Sequence, residues 1–453
     1  MSTDLTESLR RRFDGELIEP SDPHYDETRR LFNGRIDRRP ALIARCRRVD
    51  DVLAAVNHAG ERGLPLSVYG GGHGLDGAAV TDDALLIDLR PMREIQIDPR
   101  RRRATVEPGV TWGELDAATQ AHGLAVTGAR GPSIGVTGFT LGGGSGWLER
   151  SLGLACDNLI SAEIITADGR LLTASDAEHP DLLWALRGGG AGTGVVTQLE
   201  LGLHPVGPTV LAGQILHPRE RAAELLALLR DFTADAPDEL GIGSALVLLP
   251  DAPQLPEPLR GAPVIGCTVC FNGDPAAGER LLAPLGSFGT PIIARVAPVP
   301  YIEAQRLLSS PSGDRYHAES AYLEDLDDTR IATLIEHAGR AQSPGSEVVL
   351  LPWTGAIHHR QDSPLPRPQG WLVHVLAHWT DSADDHHEIA WAHSTRDAIA
   401  PSSTAAFPNL SSRHHPTADF GPDASERLHA IRRHYNPDST MAKPGTPPHA
   451  STT

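Results

Sequence analysis

The sequence predicts an α+β protein of two or three domains, and three observations carry that expectation. Its 453 residues exceed what one core organises, at roughly 100–200 residues per domain. Strand-like and helix-like segments alternate along the chain, with Asp98-Pro99 and Asp168-Gly169 reading as hairpin turns. Composition then changes near Pro205: three glycine clusters precede it, and longer helical patterns follow it.

In chain order, residues 1–40 are polar and helical in part, and residues 41–58 read as a strand followed by an amphipathic helix started near Asp50 or Asp51. Leu66–Tyr69 and Leu85–Leu89 are short strands around the first glycine cluster. Glu94–Ile97 and Ala104–Glu107 form a hairpin, and Trp112–His122 is a helix closed by Gly123. Leu159–Thr166, Leu171–Ala174 and Gly194–Leu203 are strands. Between residues 206 and 395, helices at Glu220–Ala234, Ala276–Ala283, Tyr301–Leu308 and Asp328–Ala341 alternate with strands at Ser244–Leu249, Val264–Phe271, Glu347–Pro352 and Trp371–His378. That alternation predicts a separate domain, an antiparallel sheet covered by helices. Ser425–His434 is a last helix, and residues 442–453 form a disordered tail.

Charge excludes some partners. With 40 Lys+Arg against 58 Asp+Glu the net charge is −18, which argues against nucleic acid and against anionic membranes. Four cysteines make no disulfide framework. Neither a secretory leader nor an apolar run near ~18 residues is visible, so a cytoplasmic protein is expected.

Glycine is the useful anomaly: 45 residues, against an average near 7%. Gly70-Gly71-Gly72-His73-Gly74, Gly142-Gly143-Gly144-Ser145-Gly146 and Gly188–Gly194 hold much of the excess. Without a Cβ, successive N–H groups can crowd an anion, so three clusters point to a large phosphate-bearing cofactor. A Rossmann loop is excluded, because Gly188–Gly194 runs into the strand-like Val195–Leu201 and offers no helix terminus. His73, pinned among glycines, is the second clue.

These blocks together carry a resemblance. Tyr69–Gly74 is similar to an R-(S/G)-G-G-H-S loop, and Gly109-Val-Thr-Trp-Gly113 and Gly135-Val-Thr-Gly-Phe-Thr-Leu-Gly-Gly-Gly144 match the blocks that follow it. Gly153-Leu-Ala-Cys-Asp-Asn158, Asp181–Gly190, Pro300-Tyr301, Gln305, Trp391, Asn409, Tyr435 and Pro437 continue the match to the C-terminus. The chain resembles the berberine-bridge-enzyme-like branch of the vanillyl-alcohol-oxidase superfamily of FAD-linked oxidases, from about Tyr25 to Pro437.

The resemblance implies a PCMH-type FAD-binding domain made from both chain ends (1–205 and a return at 396–441) around an inserted substrate domain, 206–395. It implies FAD attached through His73. Gly70, Gly71, Gly72 and Gly74 would donate to the pyrophosphate, and Gly142, Gly143, Gly144, Asp157 and Asn158 would line the rest of the dinucleotide. Val196 would lie near the adenine and Asn409 near the polar edge of the isoalloxazine.

This sequence also departs from the family. Where relatives carry a second flavin-linked cysteine, it has Gly131, so one covalent bond is the most expected. The aromatic after the histidine is Leu75, the tyrosine of the Y-x-N block is Phe407, and the late D-P-x-N block reads Asn436-Pro-Asp-Ser439. A positioned base contributes about 10²–10⁴-fold, so another group must substitute. His359, His374 and His378 are the candidates, on strands expected to cover the flavin, with His374 and His378 on one strand face. For each, a satisfied or exposed histidine is the competing reading.

No metal site is expected. Cys267-Thr-Val-Cys270 lacks a second ligand pair, and the dipeptides His358-His359, His386-His387 and His414-His415 diverge. The expected function is oxidation of a small-molecule substrate, a secondary metabolite or sugar-like alcohol, with hydride transfer to flavin and O2 as acceptor. The alternative is a non-redox FAD-dependent cyclase or a flavoprotein that sequesters a small molecule.

Overall fold

The computed structural model describes residues 2–190, 192–251, 253, 255, 257–308, 310–360, 362–401, 403, 405–412, 420–437 and 441. The expected tail, His414-His415 and Ser439 lie outside them. The first half holds two sheets. Strands β1 (Glu16–Ile18), β2 (Leu42–Arg45), β3 (Leu66–Tyr69) and β4 (Leu85–Asp88) are ordered β1-β2-β4-β3. Both β2 and β3 pair parallel to β4, so β4 is central and all four of its residues are buried. Asp88 at its end is fully buried and is compensated by Arg45 at 3.1 Å and Arg90 at 2.8 Å.

The second sheet takes β5 (Ile95–Asp98), β6 (Arg103–Val106), β8 (Leu159–Thr166), β9 (Leu171–Ser175) and β10 (Gly194–Gly202), in the order β5-β6-β10-β8-β9. Between the halves, β7 (Leu124–Ala125) pairs with β11 (His204–Pro205).

The second half is built on one antiparallel seven-stranded sheet. Its strands are β12 (Thr209–Pro218), β13 (Leu240–Leu248), β14 (Pro263–Phe271), β15 (Ile293–Pro300), β16 (Arg315–Leu323), β17 (Glu347–Trp353) and β18 (Gly370–Trp379), ordered β15-β12-β14-β13-β17-β18-β16. Three of them, β12, β15 and β16, carry no strand expectation in the sequence. β15 contains Pro298 and Pro300, which cannot donate to a ladder, and it sits at the sheet edge. β16 is the other edge, and its sequence, Arg-Tyr-His-Ala-Glu-Ser-Ala-Tyr-Leu, places His317 and Glu319 where apolar residues would mark a strand.

Period-two alternation gives this sheet two unlike faces. Val373, Val375, Ala377, Ala321 and Leu323 pack against the helices Ala222–Ala234, Asp328–Ala338 and Asp385–Ile399. The last of these helices extends past residue 395. Leu351, Trp353 and Leu372 turn the other way, into the core of the first half. The chain then returns to that half: helix Pro422–Tyr435 contributes Leu428, Ile431 and Tyr435 to its core, and Met441 bridges to Leu66. No helix among the described residues is long and apolar enough to cross a membrane.

Candidate cofactor and active site

β3 delivers the first glycine cluster. Beyond Tyr69 the backbone folds over Gly135, and a Cβ on Gly71 would lie 2.5 Å from the Gly135 Cα. Only glycine permits that backbone-on-backbone contact. Among the described residues, no backbone carbonyl accepts from the N–H of Gly71, Gly72, His73 or Gly74. A run of uncommitted N–H donors at a strand end suits the oxygens of a pyrophosphate.

His73 follows in the same turn. Its ring stacks on Phe32 at 4.4 Å and 22°. Phe32 stacks on Tyr316 at 4.9 Å, and Tyr316 on His378 at 4.8 Å and 9°. His378 meets the Asp314 carboxylate at 2.8 Å. The stack therefore joins the first glycine turn to β16 and β18. Burial lowers the His73 pKa to about 4, opposed by a hydrogen bond with the Ser133 backbone. The imidazole is thus neutral near pH 7 and keeps a nucleophilic lone pair.

The second cluster uses its backbone differently. Gly142 N–H donates to Gly138 O at 3.2 Å, Gly143 N–H to Thr140 O at 3.1 Å, and Gly144 N–H to Asn409 Oδ1 at 2.8 Å. Gly143 has φ 111°, and a Cβ there would lie 2.9 Å from the Phe407 ring. These glycines provide close packing, and their N–H groups are already committed.

Asp157 and Asn158 are committed too. Asp157 accepts from Arg367 at 2.6 and 2.8 Å and from the Leu154 N–H at 2.8 Å. Asn158 donates to Leu152 O and Leu154 O and pairs with His204 at 2.7 Å. Val196 is buried on β10 within the core of the first half. Sequence reasoning missed Arg367, whose ion pair with Asp157 is buried and ties the loop after β17 to the first half.

Two of the three histidine candidates stand over the first half. β17 ends at Trp353, and a turn at Gly355–His358 carries His359 to the surface, where its side chain is exposed. The expectation of His359 on a covering strand therefore does not hold, because Gly355 (φ 72°) turns the chain away first. His374 and His378 lie on β18 on the same face as Leu372, as the alternation requires. His374 Nε2 is buried without a partner among the described residues, and burial, with Arg130 nearby, lowers its pKa to about 4. His378 is occupied by Asp314 and Tyr316.

A buried polar group lines the same interface. Arg130, next to Gly131, contacts Glu149 at 3.2 Å and Ser145 at 3.2 Å and lies 4.6 Å over the Trp147 ring. Tyr301 is fully buried, and its hydroxyl has no partner among the described residues. Asp116 accepts from Gln305 at 3.2 Å, and burial raises its pKa to about 7. Phe407 is fully buried edge-on to Trp353, so the hydroxyl of a tyrosine is absent there. Tyr301 and Gln305 stand in blocks that carry the family resemblance, and Arg130 stands beside Gly131; Asp116 has no such signal in the sequence.

Comparison with known proteins bears on what this arrangement holds. The model of the FAD binding domain family matches residues 40–175. (R)-6-Hydroxynicotine oxidase of Paenarthrobacter nicotinovorans is 30% identical over 448 residues, covering 94% of each chain. The uncharacterized FAD-linked oxidoreductase YgaK of Bacillus subtilis is 27% identical over 442 residues, covering 94% of this chain and 95% of its own. Among solved structures, 6-hydroxy-D-nicotine oxidase from Arthrobacter nicotinovorans superposes with a TM-score of 0.84 at 29% identity, covering 95% of this chain and 96% of the other. BBE-like 1 of Physcomitrella patens, at 20% identity, shares the fold with a TM-score of 0.86 over 97% of this chain and 98% of its own.

Proposed function

This chain belongs to the berberine-bridge-enzyme-like FAD-linked oxidases, and we propose on that premise that it oxidises a small-molecule substrate with FAD held through His73 and with O2 as the final acceptor. The observation that carries the reading is the first glycine turn: open N–H donors beside a neutral, stacked imidazole. Gly70, Gly71, Gly72 and Gly74 would hold the pyrophosphate, and His73 would bond the flavin's methyl edge. When bound, FAD supplies the hydride acceptor, its N5. Gly142 to Gly144 act as a smooth wall, and Asn409 holds that wall by capping Gly144.

His374 is the proton acceptor in this reading. It projects from β18 toward the first half with an unpartnered nitrogen, and its depressed pKa keeps it neutral and able to accept the substrate's proton. Arg130 and the buried aromatic rings of Trp353 and Phe407 restrict water at the interface. Replacement of His374 by Ala is expected to lower kcat about 10²–10⁴-fold while flavin loading is unchanged.

Anaerobic mixing of the FAD-loaded protein with candidate substrates, 6-hydroxynicotine first, tests the redox role. Bleaching of the flavin band is expected. Product formed without bleaching would favour the non-redox alternative, which the loss of the tyrosine hydroxyl at Phe407 motivates. Acid precipitation should leave yellow protein in the wild type and a colourless pellet in His73→Ala. In Phe32→Ala the imidazole loses its stacking partner, so a larger share of the flavin should be extractable.

A further inference from the structure

The helix-covered face of the seven-stranded sheet holds a polar cluster that the flavin chemistry does not use. His317 and Glu319 stand two residues apart on β16, so both project to that face. His393 comes to meet them from the helix Asp385–Ile399. His317 Nε2 lies 3.0 Å from Glu319 Oε1, and His393 Nδ1 lies 2.8 Å from the same oxygen. The two imidazoles meet edge to face at 4.8 Å and 72°. One ligand-type atom from each residue lies within 4.8 Å of the other two.

We propose that His317, Glu319 and His393 form a divalent-cation site of the zinc class, which fastens the edge strand β16 to the helix above it. The proposal is independent of the flavin reading, since Tyr316, Ser320 and Tyr322 alternate to the opposite face of the strand.

The donor set is the first reason. Two imidazole nitrogens and one carboxylate suit Zn²⁺, with a water completing four-coordination. Spacing is the second. Ligands about 2.0–2.2 Å from a tetrahedral ion lie roughly 3.3 Å apart. Both imidazole nitrogens lie near that distance from the carboxylate oxygen, at 3.0 and 2.8 Å. All three donor atoms fall within 4.8 Å, so the imidazoles would have to close on each other for an ion to bind.

Burial is the third reason. Glu319 is 2% exposed and His317 6%, so bulk water competes little for these two donors. Nδ1 of His317 is buried and has no partner among the described residues. For the ion to take the nitrogen facing Glu319, the ring hydrogen sits on the other ring nitrogen. The His393 side chain is 38% exposed and gives the ion a route from solvent.

This set is invisible in the sequence, where 74 residues separate Glu319 from His393 and where no metal site is expected.

The test uses the FAD-loaded full chain, freed of metal with a chelator and titrated with zinc chloride by calorimetry. One tight equivalent per chain and a raised melting temperature are expected. The affinity of that equivalent should fall at least about tenfold in His393→Ala and in Glu319→Gln, with the flavin spectrum unchanged. His393 is partly exposed, so its variant decides the matter if Glu319→Gln does not fold. Zinc bound by the surface pairs His358-His359 and His386-His387 stays the same in both variants. The proposal is overturned if the wild type takes up no tight equivalent, or if His393→Ala binds zinc as the wild type does. A protein that binds no flavin yet loses its zinc in His393→Ala would sink the flavin reading and leave this one standing.

Discussion

The first and second glycine clusters have almost the same composition and opposite duties. Gly71 to Gly74 leave their N–H groups uncommitted among the described residues, beside His73, while Gly142 to Gly144 donate theirs to Gly138, Thr140 and Asn409. A run of glycines therefore signals only that backbone must come close to something. Whether that something is a ligand or the protein itself depends on where the N–H groups point.

The contrast can be broken by adding a side chain to each loop. In Gly71→Val the new atoms collide with the backbone of Gly135, which cannot swing aside as a side chain can. Stability should fall by about 3 kcal/mol or more, with FAD loading lost, read by urea unfolding and flavin absorbance. Gly142→Ala meets the Asn409 amide, whose Nδ2 is the nearest atom and whose Cγ lies 2.9 Å away. That side chain can move at the expense of its cap on Gly144, so the loss should be smaller than in Gly71→Val and close to that of losing the cap. Equal losses in both variants would dissolve the distinction.

Asn409→Ala makes the second loop resemble the first, because the Gly144 N–H loses its acceptor. The cost should be about 1–3 kcal/mol, the penalty of an unsatisfied buried donor, measured as a lower urea midpoint. Thermal melts that leave Asn409→Ala unchanged would mean that the cap is not structural.

The smallest effect is electrostatic and belongs to the first loop alone. His73 has a folded pKa near 4, below the ordinary value near 6.5, so in flavin-free protein the unfolded chain takes up a proton first as pH falls. Stability contributed by the neutral ring is present above about 6.5 and is lost as pH drops toward 4. Asp116 opposes this: its folded pKa near 7 makes stability fall as pH rises through the same window. His374, with a folded pKa near 4, adds to the His73 slope, and Glu347, with a folded pKa near 7, adds to the Asp116 slope. His73→Leu removes one of the rising contributions, so from about pH 4.5 to 6.5 its melting temperature should rise less, or fall more, than that of the wild type, while second-loop variants keep the wild-type slope.

Much of the frame was legible because local signals agree. Leu66–Tyr69, Leu159–Thr166 and the hairpin around Asp98-Pro99 read correctly from apolar alternation and turn residues. β16 was not, because His317 and Glu319 interrupt its pattern, and their burial is made acceptable only by partners far along the chain. The helix Asp385–Ile399 was hidden similarly by its polar residues. His359 was misplaced because a strand was extended through Gly355, where positive φ ends it.

By itself the sequence determined the fold class, the family and the turn that carries His73, since each rests on residues adjacent in the chain. Only the tertiary structure decided which glycines keep free donors, which histidine faces the interface, and which two imidazoles share one carboxylate. Those outcomes depend on distances between residues tens to hundreds of positions apart, and chain order does not encode such distances until burial and strand pairing bring the segments together.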